Sequence, residues 1–170
     1  MTKVMEAAIE KVKTVTQDAL GQFEEGSEEQ QYAARLAELY FREWEKLANI
    51  DDDFVAITAG VINSLRDLQV RDYMMGIVSD ISNSRAVLEF LTSIAPADYA
   101  DPAISLLSTV YYENDEQDKA IETLQKANDK YPLATLLKRV YVAGWPKESF
   151  AQMRSELHPK VVATIFGEAK

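Results

Sequence analysis

Between residues 101 and 134 two apolar stripes, each stepping by three or four residues, flank one short polar run. The first stripe is Ile104, Leu107, Val110 and Tyr111; the second is Ala120, Ile121, Leu124 and Ala127. That spacing puts each set on one face of a helix, and Glu113-Asn114-Asp115-Glu116 between them favours a turn. Asp101 suits an N-cap, and Pro102 suits a first helical turn, where a missing N–H costs nothing. Tyr131-Pro132 is expected to end the second helix, because the residue before a proline is pushed out of the helical region. Ser108, Ala120 and Ala127 are small where two packed helices must come close. Helical spacing recurs along the rest of the chain, so the expected class is all-α, built from antiparallel helical hairpins.

The set Ile104, Leu107, Ser108, Tyr111, Ala120, Leu124, Ala127 and Pro132 resembles the tetratricopeptide (TPR) repeat, a helix-turn-helix of about 34 residues. A wider set is similar to a family of uncharacterised proteins associated with actinobacteria and their phages. It comprises Asp101-Pro102-Ala103-Ile104-Ser105-Leu106-Leu107, Asn114-Asp115, Leu136-Leu137 and Gly144-Trp145-Pro146, with Val70-Arg71-Asp72 and Ala95-Pro96 upstream. Asn114 stands where that family favours glycine. This second resemblance carries no activity with it. The TPR resemblance implies that the inner face of the first helix lines a ligand groove, which makes Ser105, Thr109 and Tyr112 the groove residues. All three are neutral, whereas a clamp for a C-terminal carboxylate would need lysine or arginine.

At the N-terminal end, Met5, Ile9, Val12, Thr16, Ala19 and Phe23 alternate steps of four and three, a coiled-coil-like seam that predicts one long amphipathic helix. Gly26 breaks the run, and Ser27 with Gln30 reads as a capping box for a second helix. That helix carries Tyr32, Leu36, Leu39, Tyr40 and Leu47, has Trp44 beside them, and is expected to end near Asn49. Residues 1–50 are thus expected to form a helical hairpin, closed within the chain or against a second copy. Its Tyr, Trp and Phe side chains are types enriched in interfaces. Residues 51–170 are expected to form a TPR-like helical domain packed with the hairpin as one unit.

Asp51, Asp52 and Asp53 precede an apolar helix with Phe54, Val55, Ile57, Val61, Ile62 and Leu65. The triplet reads as a helix cap, not a calcium loop, which would need a glycine turn and a closing glutamate. The helix after it is apolar around much of its circumference and is expected to be central. A weaker helix pair follows over residues 66–96. After Pro132 a short helix with Leu133, Leu136, Leu137, Val140 and Tyr141 is stopped by Gly144-Trp145-Pro146. Two more short helices are expected over 149–157 and 159–166, with His158 capping the turn between them.

Several chemistries are excluded. The chain has no cysteine and one histidine, so the common zinc sites and a disulfide framework cannot be assembled. Its six glycines are isolated, which removes dinucleotide and phosphate-loop motifs. No catalytic residue, metal or cofactor is therefore expected. Glu6, Glu10 and Lys11 interrupt any apolar core of a secretion signal, and no run of apolar residues is long enough for a membrane span, so a soluble, cytoplasmic protein is expected. The net charge is −10. Residues 1–53 hold thirteen acidic against six basic side chains, while residues 135–170 hold three against six. This balance argues against direct nucleic-acid binding, which places cations on phosphates.

What remains is recognition of a protein. The leading expectation is a noncatalytic interaction or adaptor protein, with self-association through residues 1–50 as one form of it. The alternative is an acidic inhibitor, encoded by a phage or mobile element, that blocks a nucleic-acid-binding enzyme. Glu24, Glu25, Glu28, Glu29, Asp51, Asp52 and Asp53 would then form one acidic surface.

Overall fold

The computed structural model describes residues 2–12, 17–47 and 51–167. Among these residues there are nine α-helices, three short 3₁₀ turns and no strand, so the chain is all-α. The helices are α1 (Thr2–Val12), α2 (Glu28–Arg42), α3 (Asp52–Ser64), α4 (Leu68–Met75), α5 (Ser84–Ile94), α6 (Asp101–Glu113), α7 (Gln117–Leu124), α8 (Pro132–Val142) and α9 (Lys147–Phe166).

The first departure from the sequence pattern is at the N-terminal end. α1 buries Met5 and Ile9 and packs on α3, but the described helix ends at Val12. Thr16 lies outside the described residues, Ala19 sits in an exposed turn, and Phe23 is half-buried outside any helix. Residues 17–27 are held by the α3–α4 junction instead. Asn63 Nδ2 donates to Gln17 Oε1, Gln22 Nε2 donates to the Arg66 carbonyl at 2.8 Å, and Leu68 N donates to Gln22 Oε1 at 2.9 Å. Phe23 N donates to Asp67 Oδ2 at 2.9 Å. Gly21, at φ +83°, allows this close approach: a Cβ there would stand 2.7 Å from the Arg66 Cβ. These bonds satisfy backbone and amide groups that a continued helix would have paired internally.

α2 opens with the expected cap, shifted by one residue on its return arm. Ser27 Oγ accepts from Gln30 N at 3.2 Å, and Gln30 Oε1 accepts from Gly26 N at 2.9 Å. The helix ends at Arg42 and a 3₁₀ turn follows over Trp44–Lys46; Asn49 lies outside the described residues. Asp51 caps α3 by accepting from Phe54 N at 2.8 Å, and Asp67 caps α4 by accepting from Val70 N at 3.0 Å. Tyr40, Trp44, Phe54 and Phe90 form a continuous aromatic cluster that joins α2, α3 and α5, with ring centroids 5.3–6.3 Å apart.

The central helix is α6, not α3. Every residue from Pro102 to Tyr112 is buried, whereas α3 leaves Ala56 and Ile57 exposed. α6 is ringed by α4, α5, α7, α8 and α9, so a helix apolar on nearly all sides ends up inside. Asp101 is not the N-cap residue. It lies in the first turn and its carboxylate reaches across to accept from Asn128 N at 3.0 Å, tying the start of α6 to the segment after α7. α7 is shorter than its stripe suggests: it ends at Leu124, and Pro132 begins α8 instead of ending α7. Ala127 is nevertheless buried, so the stripe marks burial beyond the helix itself.

The two short helices expected around His158 are one helix, α9, which runs through Pro159. An interior proline costs roughly 3 kcal/mol of helix propensity. Tertiary packing outweighs that here, because Phe150, Arg154 and Ile165 are all buried on α9. Burial of a side chain the size of Phe150 or Ile165 contributes about 1.5–3 kcal/mol each.

Candidate binding cleft

α2 and α3 run antiparallel. Near one end Gln30 Nε2 donates to Asp67 Oδ1 at 3.2 Å, midway Leu36 reaches Gly60, and towards the other end Tyr40 OH meets Thr58 Oγ1 at 2.9 Å. The inner face of α2 is made of Ala33, Ala34, Ala37, Tyr40 and Phe41. Three alanines bring α2 close to the core and leave its second apolar set, Tyr32, Leu36 and Leu39, at the surface. A cleft of about 460 Å³ opens between the two helices, with Phe23 and Val12 at one side. Tyr32 is 66 % exposed, Leu39 57 % and Ile57 37 %.

Gly60 leaves the floor of the cleft open; a Cβ there would already touch Leu36, at 3.4 Å. At the α2 N-terminal end the lining turns polar. Glu28 and Glu29 stand on the rim, and no lysine or arginine lines the cleft among the described residues. Asn63, only 4 % exposed, also lines it, and its Oδ1 is buried with no hydrogen-bond partner. An unpaired buried acceptor costs about 1–3 kcal/mol. Burial also pushes the nearby Tyr40 hydroxyl up to about 12, so it stays protonated for its bond with Thr58.

The other sequence-predicted site residues fall elsewhere. Ser105, Thr109 and Tyr112 are all inside the protein, because α6 is the central helix. Thr109 Oγ1 donates to the Leu106 carbonyl at 2.7 Å, and Tyr112 stacks on Tyr141 at 4.4 Å and donates to the Trp145 carbonyl. The groove expected on the inner face of α6 is therefore filled. Glu24, Glu25, Glu28, Glu29, Asp51, Asp52 and Asp53 are exposed. They are not brought together as one cluster: because α2 and α3 are antiparallel, Glu28 and Glu29 lie at one end of the pair and Asp51–Asp53 at the other. The fifteen residues of α2 separate these ends by about 20 Å.

A polar network lies where α9 packs on α4. Arg154 donates to both Glu113 oxygens at 2.9 Å, to the Gly76 carbonyl at 2.9 Å and to Asp80. The His158 ring packs on Tyr73 at 5.1 Å, with its Nδ1 buried and unpartnered, and Gly76 passes too close to it to carry a Cβ. Tyr73 donates to Glu38; burial pulls that carboxyl upward, but the bonds from Tyr73 and Arg42 prevail and hold it below the ordinary range. Among the described residues no group of three or more His, Cys, Asp or Glu could hold a metal ion. No described helix is long and apolar enough to cross a membrane.

Fold and cleft define an all-α protein with a surface-open apolar groove between two antiparallel helices. The chain belongs to the family described as Domain of unknown function (DUF4192), whose model matches residues 1–148. No curated protein and no solved structure matches the chain significantly. The family match takes in the cleft and α1 to α8 and stops at the second residue of α9, so Arg154 and His158 lie beyond it.

The spacing of Tyr32, Leu36 and Leu39 reads as the stripe of a hairpin closed within the chain or against a second copy, and Ile57 as part of a central helix. The signal against that reading was the second apolar set on α2, Ala33, Ala34, Ala37 and Phe41, since a helix with two apolar faces can bury only one on a single neighbour.

Proposed function

We propose that this chain is a noncatalytic protein–protein interaction module that engages its partner at the α2–α3 cleft. The observation that carries the reading is the exposure of Tyr32 and Ile57 on one apolar groove, with Leu39 exposed further along α2, since clustered exposed apolar surface marks interaction sites. In this reading the α6–α7 pair is a TPR-like hairpin used as internal scaffold, and its face towards the other helices is occupied by the protein itself. The setting is the cytoplasm. The acidic-inhibitor alternative is less well supported, because the carboxylates it needs on one surface divide between the two ends of the α2–α3 pair.

The test is affinity capture from a lysate of the source cells, with the unaltered chain and a Leu39→Ser/Ile57→Ser variant side by side, at low and high salt. A partner held by the former and lost by the latter is the expected result. A set of captured proteins indifferent to the two substitutions overturns the reading. Loss with salt alone, independent of the cleft, would favour the acidic inhibitor, because exposed charge contacts are screened.

A further inference from the structure

We infer that the occupant of the cleft is a basic amphipathic helix of a partner protein; this rests on the interaction reading above and specifies its ligand. Shape comes first. The long walls are two helices whose backbone groups are bonded within themselves, so among the described residues the cleft offers no sheet edge to an extended peptide. An occupant must bring its own backbone hydrogen bonds, which a helix does. Tyr32, Leu36 and Leu39 step along α2 by four and three residues, a ridge about 10 Å long. Across from it Gly60 lowers the wall and Ile57 raises it. A helix presenting apolar side chains at matching three- and four-residue steps fits such a ridge and gap.

Charge then selects among helices. Glu28 and Glu29 line the cleft, and among the described residues no lysine or arginine lines it to neutralise them. Lysine and arginine supply cationic donors and no acceptor, so one such residue beside the apolar face of the incoming helix would pair with these carboxylates. A second copy of this chain is disfavoured as the occupant: at a net charge of −10 it would bring a like-charged molecule to the acidic rim. The net charge of −10 also repels an anionic membrane surface.

The test uses the full chain and labelled peptides of about 18 residues, long enough to hold a helix, read by fluorescence anisotropy. One is an amphipathic leucine/lysine peptide; the others are its scrambled form and a leucine/glutamate counterpart. The amphipathic basic peptide is expected to bind, with the scrambled and acidic peptides at least about tenfold weaker. Tyr32→Ala and Ile57→Ser should each weaken it severalfold, and Glu28→Lys with Glu29→Lys about tenfold or more. Asp118→Lys with Glu122→Lys, exposed on α7, should leave most of the affinity in place. Equal loss in that control, or equal binding of the scrambled peptide, would reduce the effect to net charge and overturn the inference. So would sedimentation showing a dimer that Ile57→Ser dissociates. If a cleft-dependent partner is captured but the basic peptide does not bind, the helix inference fails and the interaction reading stands; if neither occurs, both fail.

Discussion

Arg154 shows how far one side chain can be from its apparent role in the sequence. It stands among other charged residues on α9, yet it is almost completely buried and its donors are used on Glu113, the Gly76 carbonyl and Asp80. The two carboxylates are not equivalent partners. The Glu113 side chain is 9 % exposed and that of Asp80 67 %, so the first pair is desolvated and the second is screened. Removing one partner of a buried pair costs about 3–5 kcal/mol, against about 0–1 for an exposed one. Urea denaturation should therefore show a loss of several kcal/mol for Arg154→Ala and a small change for Asp80→Asn. His158 gives a pH signature. Burial lowers its pKa from an ordinary value near 6.5, and it faces Tyr73, Glu38, Arg154 and Asp80. The unfolded chain then binds the proton more readily, so stability is complete above about 6.5 and declines as pH falls towards the folded-state value. Melting temperature should drop between pH 7 and pH 5, with a shallower slope in His158→Asn.

At the scale of elements, the decisive piece is the segment over residues 17–27. Its seam of apolar residues spells a helix, but Asp67 captures it. That carboxylate, 1 % exposed, accepts from Phe23 N, Gln30 Nε2 and Val70 N, so one side chain caps α4 and anchors both the segment and the start of α2. Loss of an N-cap costs about 1 kcal/mol, and leaving the buried Gln30 Nε2 unpaired adds about 1–3. Asp67→Ala should destabilise the chain by about 2–4 kcal/mol and strip hydrogen-exchange protection from the Phe23 amide, while amides in the middle of α6 keep theirs relative to global stability. The anchoring partners are some 44 residues apart in sequence, beyond anything local spacing can report. Caps were readable for the opposite reason. Ser27 and Asp51 bond amides three residues away, and that interaction is complete within one turn.

For the whole molecule, α9 packs on α4, α6 and α2, so the last helix ties α2 to the helices around α6, while α1 packs on α3. The two tryptophans report on separate regions: Trp44 in the aromatic cluster with Tyr40, Phe54 and Phe90, and Trp145 at the approach to α9. If residues 1–50 and 51–170 behave as one unit, chains carrying Trp44→Phe or Trp145→Phe should each lose fluorescence structure at the same urea midpoint as their circular dichroism. Separate midpoints would divide the protein into independently folding parts.

The sequence by itself determined the helical class, the position of most helices, the caps at Ser27 and Asp51, and the absence of cysteine chemistry. These depend on the spacing of residues within a few turns of one another. Only the tertiary structure decided that α6 is the centre, that Ser105, Thr109 and Tyr112 are buried, and that α9 continues through Pro159. It alone left Tyr32 and Ile57 at the surface around a cleft. An apolar stripe states that a face wants cover, but which neighbour covers it is settled by the competition of all such faces for one core, and α2 had one face more than that core could take.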